Sequence, residues 1–248
     1  MLIKILLLLP ILCFAQENLD LKVLQKKLTS KIVKIDDPVY KKKKIYEGFL
    51  LSEVLKVLDL NKADALVEFQ CADGYKPFLE WDQIEKGQPY LVFRDVDFNN
   101  WESFEVGKSK KTPGPFYLVW PKPIEEAKWP YQIIGITQID FAQKYKKIYP
   151  PELKKLSGAV KNGFNIFKNQ CLKCHSINLE GGELGPELNI PKNITEYRDK
   201  KFLRAFILDS NSYRLKSAMP PFKEILTNKE IGEVLAYISW MKKFKILN

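Results

Sequence analysis

The chain has 248 residues, with 40 Lys and Arg against 30 Asp and Glu and a single histidine, His175. One imidazole excludes multi-histidine zinc or copper centres. The basic excess does not point to nucleic acid, because the lysines are scattered along the chain rather than gathered into one segment.

Residues 1–15 read as a cleaved export signal. Lys4 supplies the positive start, 5–11 form an apolar run broken only by Pro10, and Cys13-Phe14-Ala15 provide a small-residue exit before Gln16. The stretch is too short to anchor the chain across a bilayer, and no later apolar run is long enough to do so. Lipid attachment at Cys13 is the competing reading, but Leu12 stands where a small residue is wanted. The expected location is therefore periplasmic. After cleavage about 230 residues remain, enough for two compact domains.

In the first of these, 16–150, residues 50–60 carry an amphipathic helix pattern. Short β-branched or aromatic runs follow at 66–69, 90–94, 116–119 and 132–139, separated by Gly, Pro, Asp and Asn. The expected fold is α+β and mainly β. Trp81, Trp101, Trp120 and Trp129 are expected mostly in its core, some of them available for recognition, and Cys71 reads as a small buried hydrophobe. Ile148-Tyr149-Pro150-Pro151 marks the boundary, since two prolines stop any regular element.

The second domain, 151–248, holds 17 basic against 10 acidic residues, whereas 16–150 hold 22 against 20. Its helices are expected at 157–169, 199–208 and 227–243 and to be all it needs, so a fragment beginning near Pro151 should fold alone. Thr227 and Glu230 form a T-x-x-E capping box, and Ile231, Val234, Leu235, Ile238 and Met241 an apolar stripe. Gly163 interrupts the first helix at a cost in helix stability, which suggests that the last helix crosses it closely there. Between them lies Cys171-Leu172-Lys173-Cys174-His175, a C-x-x-C-H haem attachment sequence. The two thiols can add to the two haem vinyl groups, and the imidazole then lies under the iron. Zinc would need two further ligands, yet Cys71 is about a hundred residues upstream. A thioredoxin-like site would need a long helix next, where 176–193 are rich in Gly, Pro and Asn.

From about 156 to 244 the chain resembles a class I c-type cytochrome domain. The likeness rests on G-x-x-x-F-x-x-x-C-x-x-C-H from Gly163 to His175, on Gly185-Pro186-Glu187-Leu188, and on Met219-Pro220-Pro221-Phe222. It implies one haem c, bound through Cys171 and Cys174, with His175 and Met219 on the iron and the Pro186 carbonyl orienting His175. Composition points the same way for Met219. Only Met219 and Met241 follow the leader, and Met241 lies on the apolar stripe of the last helix. Histidine and methionine ligation favours ferrous iron, the state of a one-electron carrier.

The first domain resembles the sulfite-oxidase-like molybdopterin-binding fold over about 45–141. The shared stretches are Gly48-Phe49-Leu50-Leu51, Ala72-Asp73-Gly74-Tyr75, Thr112-Pro113-Gly114-Pro115-Phe116-Tyr117-Leu118-Val119 and Trp129-Pro130-Tyr131-Gln132. That family carries its metal-binding cysteine elsewhere than Cys71, and this domain has one arginine, Arg94, and no histidine. The expectation is a shortened relative without molybdopterin. It would dock a periplasmic single-haem electron carrier to a redox partner, one with an acidic face to match the basic haem half. The alternative is an oxidoreductase of sulfite-oxidase type that passes its electrons to a fused cytochrome.

Overall fold

A computed structural model gives the structure of residues 17–61, 65–98, 100–106, 109–125, 127–152, 155–215 and 217–246. The leader expected at 1–15, Cys13 included, lies outside these described residues. Two four-stranded antiparallel sheets form the N-terminal half. One has the order β1 (Glu17–Asn18), β10 (Ile133–Ile139), β4 (Leu66–Cys71), β5 (Phe78–Leu79); the other has the order β2 (Lys31–Asp37), β3 (Lys42–Leu50), β6 (Tyr90–Asp95), β9 (Tyr117–Val119). A small hairpin, β7 (Phe104–Val106) with β8 (Ser109–Lys111), stands beside them.

Three short helices, α1 (Leu21–Lys27), α2 (Leu51–Val57) and α3 (Trp81–Gly87), close the first core. Strand alternation builds it: Val67 and Phe69 of β4, Leu91 of β6, Leu118 of β9 and Ile136 of β10 turn inward against Leu24, Val54, Leu55 and Ile84. The far face of the second sheet buries Val33, Ile35, Tyr46, Val92, Tyr117 and Val119. Cys71 is buried in the first core, and burial raises its thiol pKa well above the ordinary range. Of the four tryptophans, Trp120 is fully enclosed while Trp81, Trp101 and Trp129 are half-buried.

After α4 (Phe141–Lys144) and a 3-10 turn at Lys146–Ile148, the chain becomes helical: α5 (Gly158–Ile166), α6 (Ile194–Tyr197), α7 (Lys200–Leu208) and α8 (Asn228–Met241). Asp199 caps α7, and Thr227 with Glu230 forms the expected capping box on α8. Among the described residues no helix is long and apolar enough to cross a membrane.

The crossing of α5 over α8 occurs at Gly163, where a Cβ would lie 1.9 Å from the Glu233 carbonyl oxygen. Gly163→Ala tests the crossing. Helix propensity alone favours alanine by about 1 kcal/mol, but overpacking against backbone costs about 1–3 kcal/mol or more. The expected result is a net loss of stability, read as a thermal midpoint lower by several degrees.

The second core runs across the proline boundary. Phe78, Ile139, Phe141, Tyr145 and Ile148 from the N-terminal side pack with Val160, Phe164, Phe167, Val234, Tyr237, Ile238 and Met241. Aromatic contacts pass continuously between the halves. Phe78 meets Phe141 at 5.7 Å between ring centroids, Phe141 meets Tyr149 at 6.0 Å, Tyr149 meets Phe164 at 4.9 Å and Phe164 meets Tyr237 at 5.6 Å. Polar ties reinforce them: the Tyr237 hydroxyl donates to the Ile148 carbonyl at 2.5 Å, and buried Glu68 of β4 accepts from Tyr145 and Lys144. The helices after Pro151 do supply one core of their own, Leu203, Phe222, Leu226, Ile231 and Leu235. The larger core, however, is shared with residues before the prolines, which the expectation of a self-sufficient helical half did not include. The prolines stop a regular element, but the apolar residues just before them belong to the helical half.

Candidate haem site

Helix α5 does not end as an ordinary helix. It passes into a π-wound turn, Phe167–Cys171, which holds Phe167 in the second core and delivers Cys171 to its edge. π turns of this kind interrupt helices most often at functional sites. The Cys171 carbonyl then accepts from the Cys174 N–H at 3.0 Å and from the His175 N–H at 2.9 Å, so both sulfurs and the imidazole sit on one tight turn.

The chain returns through a hairpin of β11 (Ser176–Ile177) and β12 (Glu180–Gly181). Its two turn residues, Asn178 and Leu179, are both left-handed, which suits a two-residue hairpin. Asn178 is tolerated there because its side chain donates to the carbonyls of Lys147 and Phe244, each at 3.0 Å, and accepts from Asn189 at 2.8 Å. One carboxylate, Glu187, accepts from the backbone N–H groups of Asn178, Leu179, Asn189 and Ile190 at 2.8–3.2 Å. These bonds fix the position of the preceding residue, Pro186.

The Pro186 carbonyl lies 2.9 Å from His175 Nδ1. A carbonyl can only accept, so Nδ1 carries the proton and Nε2 keeps its lone pair, the arrangement a metal-ligating histidine requires. Burial pulls the His175 pKa below the usual histidine range and favours the neutral ring. Gly185 completes this wall: a Cβ there would lie 2.4 Å from His175 Cε1. Burial also pushes the Cys171 thiol up to about 12 and the Cys174 thiol up to about 11. Among the described residues no group of three or more His, Cys, Asp or Glu is placed to hold a metal ion.

Met219 sits in the loop between α7 and α8, half-buried against Leu203, Phe222 and Leu235. Its backbone is pinned on both sides: its N–H donates to Ser217 Oγ at 3.2 Å, and Ser210 Oγ donates to its carbonyl at 2.6 Å. Met241 is fully enclosed in the second core and is not available to a ligand. A cavity of about 250 Å³ lies between the attachment turn and the methionine loop, lined by Lys173, Cys174 and Leu184 on one side and by Ala218 and Pro220 on the other. Of the expected haem residues only Cys174 lines this cavity; Cys171 and the oriented imidazole of His175 share its turn, and Met219 lies between the lining residues Ala218 and Pro220. That donor set, two cysteines, an imidazole with its Nε2 lone pair free and a thioether, fits a haem.

Four further residues line the same cavity and belong to the N-terminal half: Asp73, Tyr75, Trp129 and Tyr131. Sequence reasoning singled out their stretches by resemblance but did not place them at this site. The one local signal was Gly74, whose φ of +84° marks a tight turn that brings Tyr75 round.

Residues 158–238 match the family model described as cytochrome c oxidase, cbb3-type, subunit III. Among curated proteins none matches the chain. The helical half is thus a c-type cytochrome domain, which implies bound haem c and redox partners.

Proposed function

We propose that the protein is a periplasmic single-haem electron carrier. Cys171 and Cys174 hold the haem covalently, His175 and Met219 ligate its iron, and Pro186 sets the histidine tautomer. The observation that carries this reading is the 2.9 Å contact from His175 Nδ1 to the Pro186 carbonyl, beside both cysteines and within the matched segment. The β-rich half, which resembles the sulfite-oxidase-like fold, serves docking and holds no molybdopterin. Its Cys71 thiol is enclosed in an apolar core and disfavoured as a thiolate, a poor metal ligand. The basic excess of the haem half suits a partner with an acidic face, and the name of the matched family makes a terminal oxidase one candidate.

Methionine ligation gives ferric haem a weak near-infrared sulfur-to-iron band. Met219→Ala should lose that band, admit cyanide or imidazole more readily and lower the potential. Met241→Ala should keep the band while losing about 2–5 kcal/mol of stability, because it empties a core site. Loss of the band in Met241→Ala instead would overturn the ligand assignment. Metal analysis separates the carrier from the fused enzyme: iron near one per chain without molybdenum supports the carrier, and stoichiometric molybdenum the enzyme.

A further inference from the structure

Three stretches of the β-rich half converge on the edge that faces the attachment turn. The Ala72 N–H donates to the Gln132 carbonyl at 2.9 Å, and the Gln132 N–H donates to the Pro113 carbonyl at 2.7 Å. The turn over Asp73–Lys76 is then fastened onto the cytochrome domain by its backbone. Lys76 N–H donates to the Lys173 carbonyl at 2.8 Å, and Glu183 N–H donates to the Gly74 carbonyl at 2.9 Å. An ion pair, Lys76 Nζ to Glu183 Oε1 at 2.6 Å, spans the same joint. The approach is close: a Cβ on Gly74 would lie 3.0 Å from Glu183 Cβ. The clamp grips Lys173, between the two cysteines, and Glu183, shortly after the hairpin.

Behind this clamp Tyr75, Trp129 and Tyr131 present an aromatic wall to the cavity that also touches Cys174, Ala218 and Pro220. Trp129 is backed by Tyr117 at 6.4 Å and Tyr131 by Phe104 at 5.0 Å between centroids. Asp73 is held by Lys111 at 3.1 Å. Fixed, half-buried aromatic side chains of this kind exclude water from whatever occupies the cleft.

We infer that the β-rich half completes the haem pocket in cis, with Tyr75, Trp129 and Tyr131 covering the macrocycle edge that bears the Cys174 thioether. This rests on the haem reading above and goes beyond it, because a docking domain need not touch the cofactor. A covered edge changes two things. Water is kept from the iron's surroundings, which disfavours the more highly charged ferric state and raises the potential. A partner, moreover, cannot meet this edge directly and must approach at another face or through the β-rich half.

The test uses the full chain with its haem. Trp129→Ala and Tyr131→Ala should shift the reduction equilibrium toward the ferric form by up to about tenfold, which is about 59 mV for a one-electron couple. Phe98→Ala, at a half-exposed aromatic packed on Lys44 away from the cavity, should leave the potential unchanged. Should the alanine variants fold poorly, the unaltered protein decides. With ring-labelled Tyr and Trp, the signals of Tyr75, Tyr131 and Trp129, assigned by their loss in Tyr75→Phe, Tyr131→Phe and Trp129→Phe, should be strongly displaced by the ferric iron. Covalent haem with undisplaced rings and an unchanged potential overturns the wall and leaves the haem reading standing. A chain with no covalent haem overturns both.

Discussion

Serine at both Cys171 and Cys174 should leave a chain that carries no covalently held haem. Each thioether needs a sulfur nucleophile, and a serine hydroxyl cannot replace it in addition to a vinyl group. Either single substitution should leave at most one bond and lower the yield of mature protein. The pyridine haemochrome spectrum distinguishes these cases, because each thioether removes one vinyl group from conjugation with the macrocycle. In the unaltered protein, acidified organic solvent should extract no haem. If it extracts all of it, the attachment assignment is wrong.

A fragment beginning at Pro151 should fail to fold into a stable haem domain. It lacks Phe78, Ile139, Phe141, Tyr145 and Ile148, five large buried side chains of the core that α5 and α8 share with the N-terminal half. Their removal re-exposes part of the retained faces of Phe164, Phe167, Val234 and Tyr237. At about 1.5–3 kcal/mol per fully exposed large side chain, the loss reaches roughly 5–10 kcal/mol, an upper estimate because unfolded chains are partly collapsed. That is comparable with the whole net stability of a typical domain, about 5–15 kcal/mol. Far-UV circular dichroism and haem incorporation, compared between the fragment and the full chain, provide the check. A fragment that melts cooperatively at the temperature of the parent would show that the shared core is dispensable. The docking role itself is read separately, in the full chain, from electron-transfer rates to the natural partner.

The helical half was legible in the sequence because its signals are local. The capping box at Thr227, the stripe along α8 and the glycine at 163 each act within a few residues or name the neighbour they need, and the structure places all three as expected. The strands β4, β6, β9 and β10 also fall where the β-branched runs put them, give or take two residues. What went unread depends on distant partners. Strands β2 and β3 carry many lysines, and Lys44 is fully buried only because Asp95 and Glu102 neutralise it from another part of the chain. Its alternation of inward Lys44, Tyr46 and Gly48 looks like a broken pattern until that pairing is known. The sequence predicts ordinary helix to 169, whereas the chain there changes its winding to set Cys171.

The same dependence hid the aromatic wall. Trp129 and Tyr131 stand in a Pro-containing stretch without regular structure, and nothing near them in sequence points to Cys174. The joint made by Lys76 with Lys173 and by Gly74 with Glu183, together with the shared core, brings them together.

That joint also carries a kinetic meaning. Lys76 and Glu183 are 107 residues apart, and the Tyr237 to Ile148 bond closes over 89. Contacts that close such long loops form late, since the entropy of closure must be met before they return anything. Each half can therefore acquire its local helices and hairpins while the cleft between them still gapes. On the proposed haem assignment, the thiols of Cys171 and Cys174 would stay open to an incoming macrocycle during that interval, and docking of the halves would then enclose it. Attachment before closure would then need no reopening of the finished cleft.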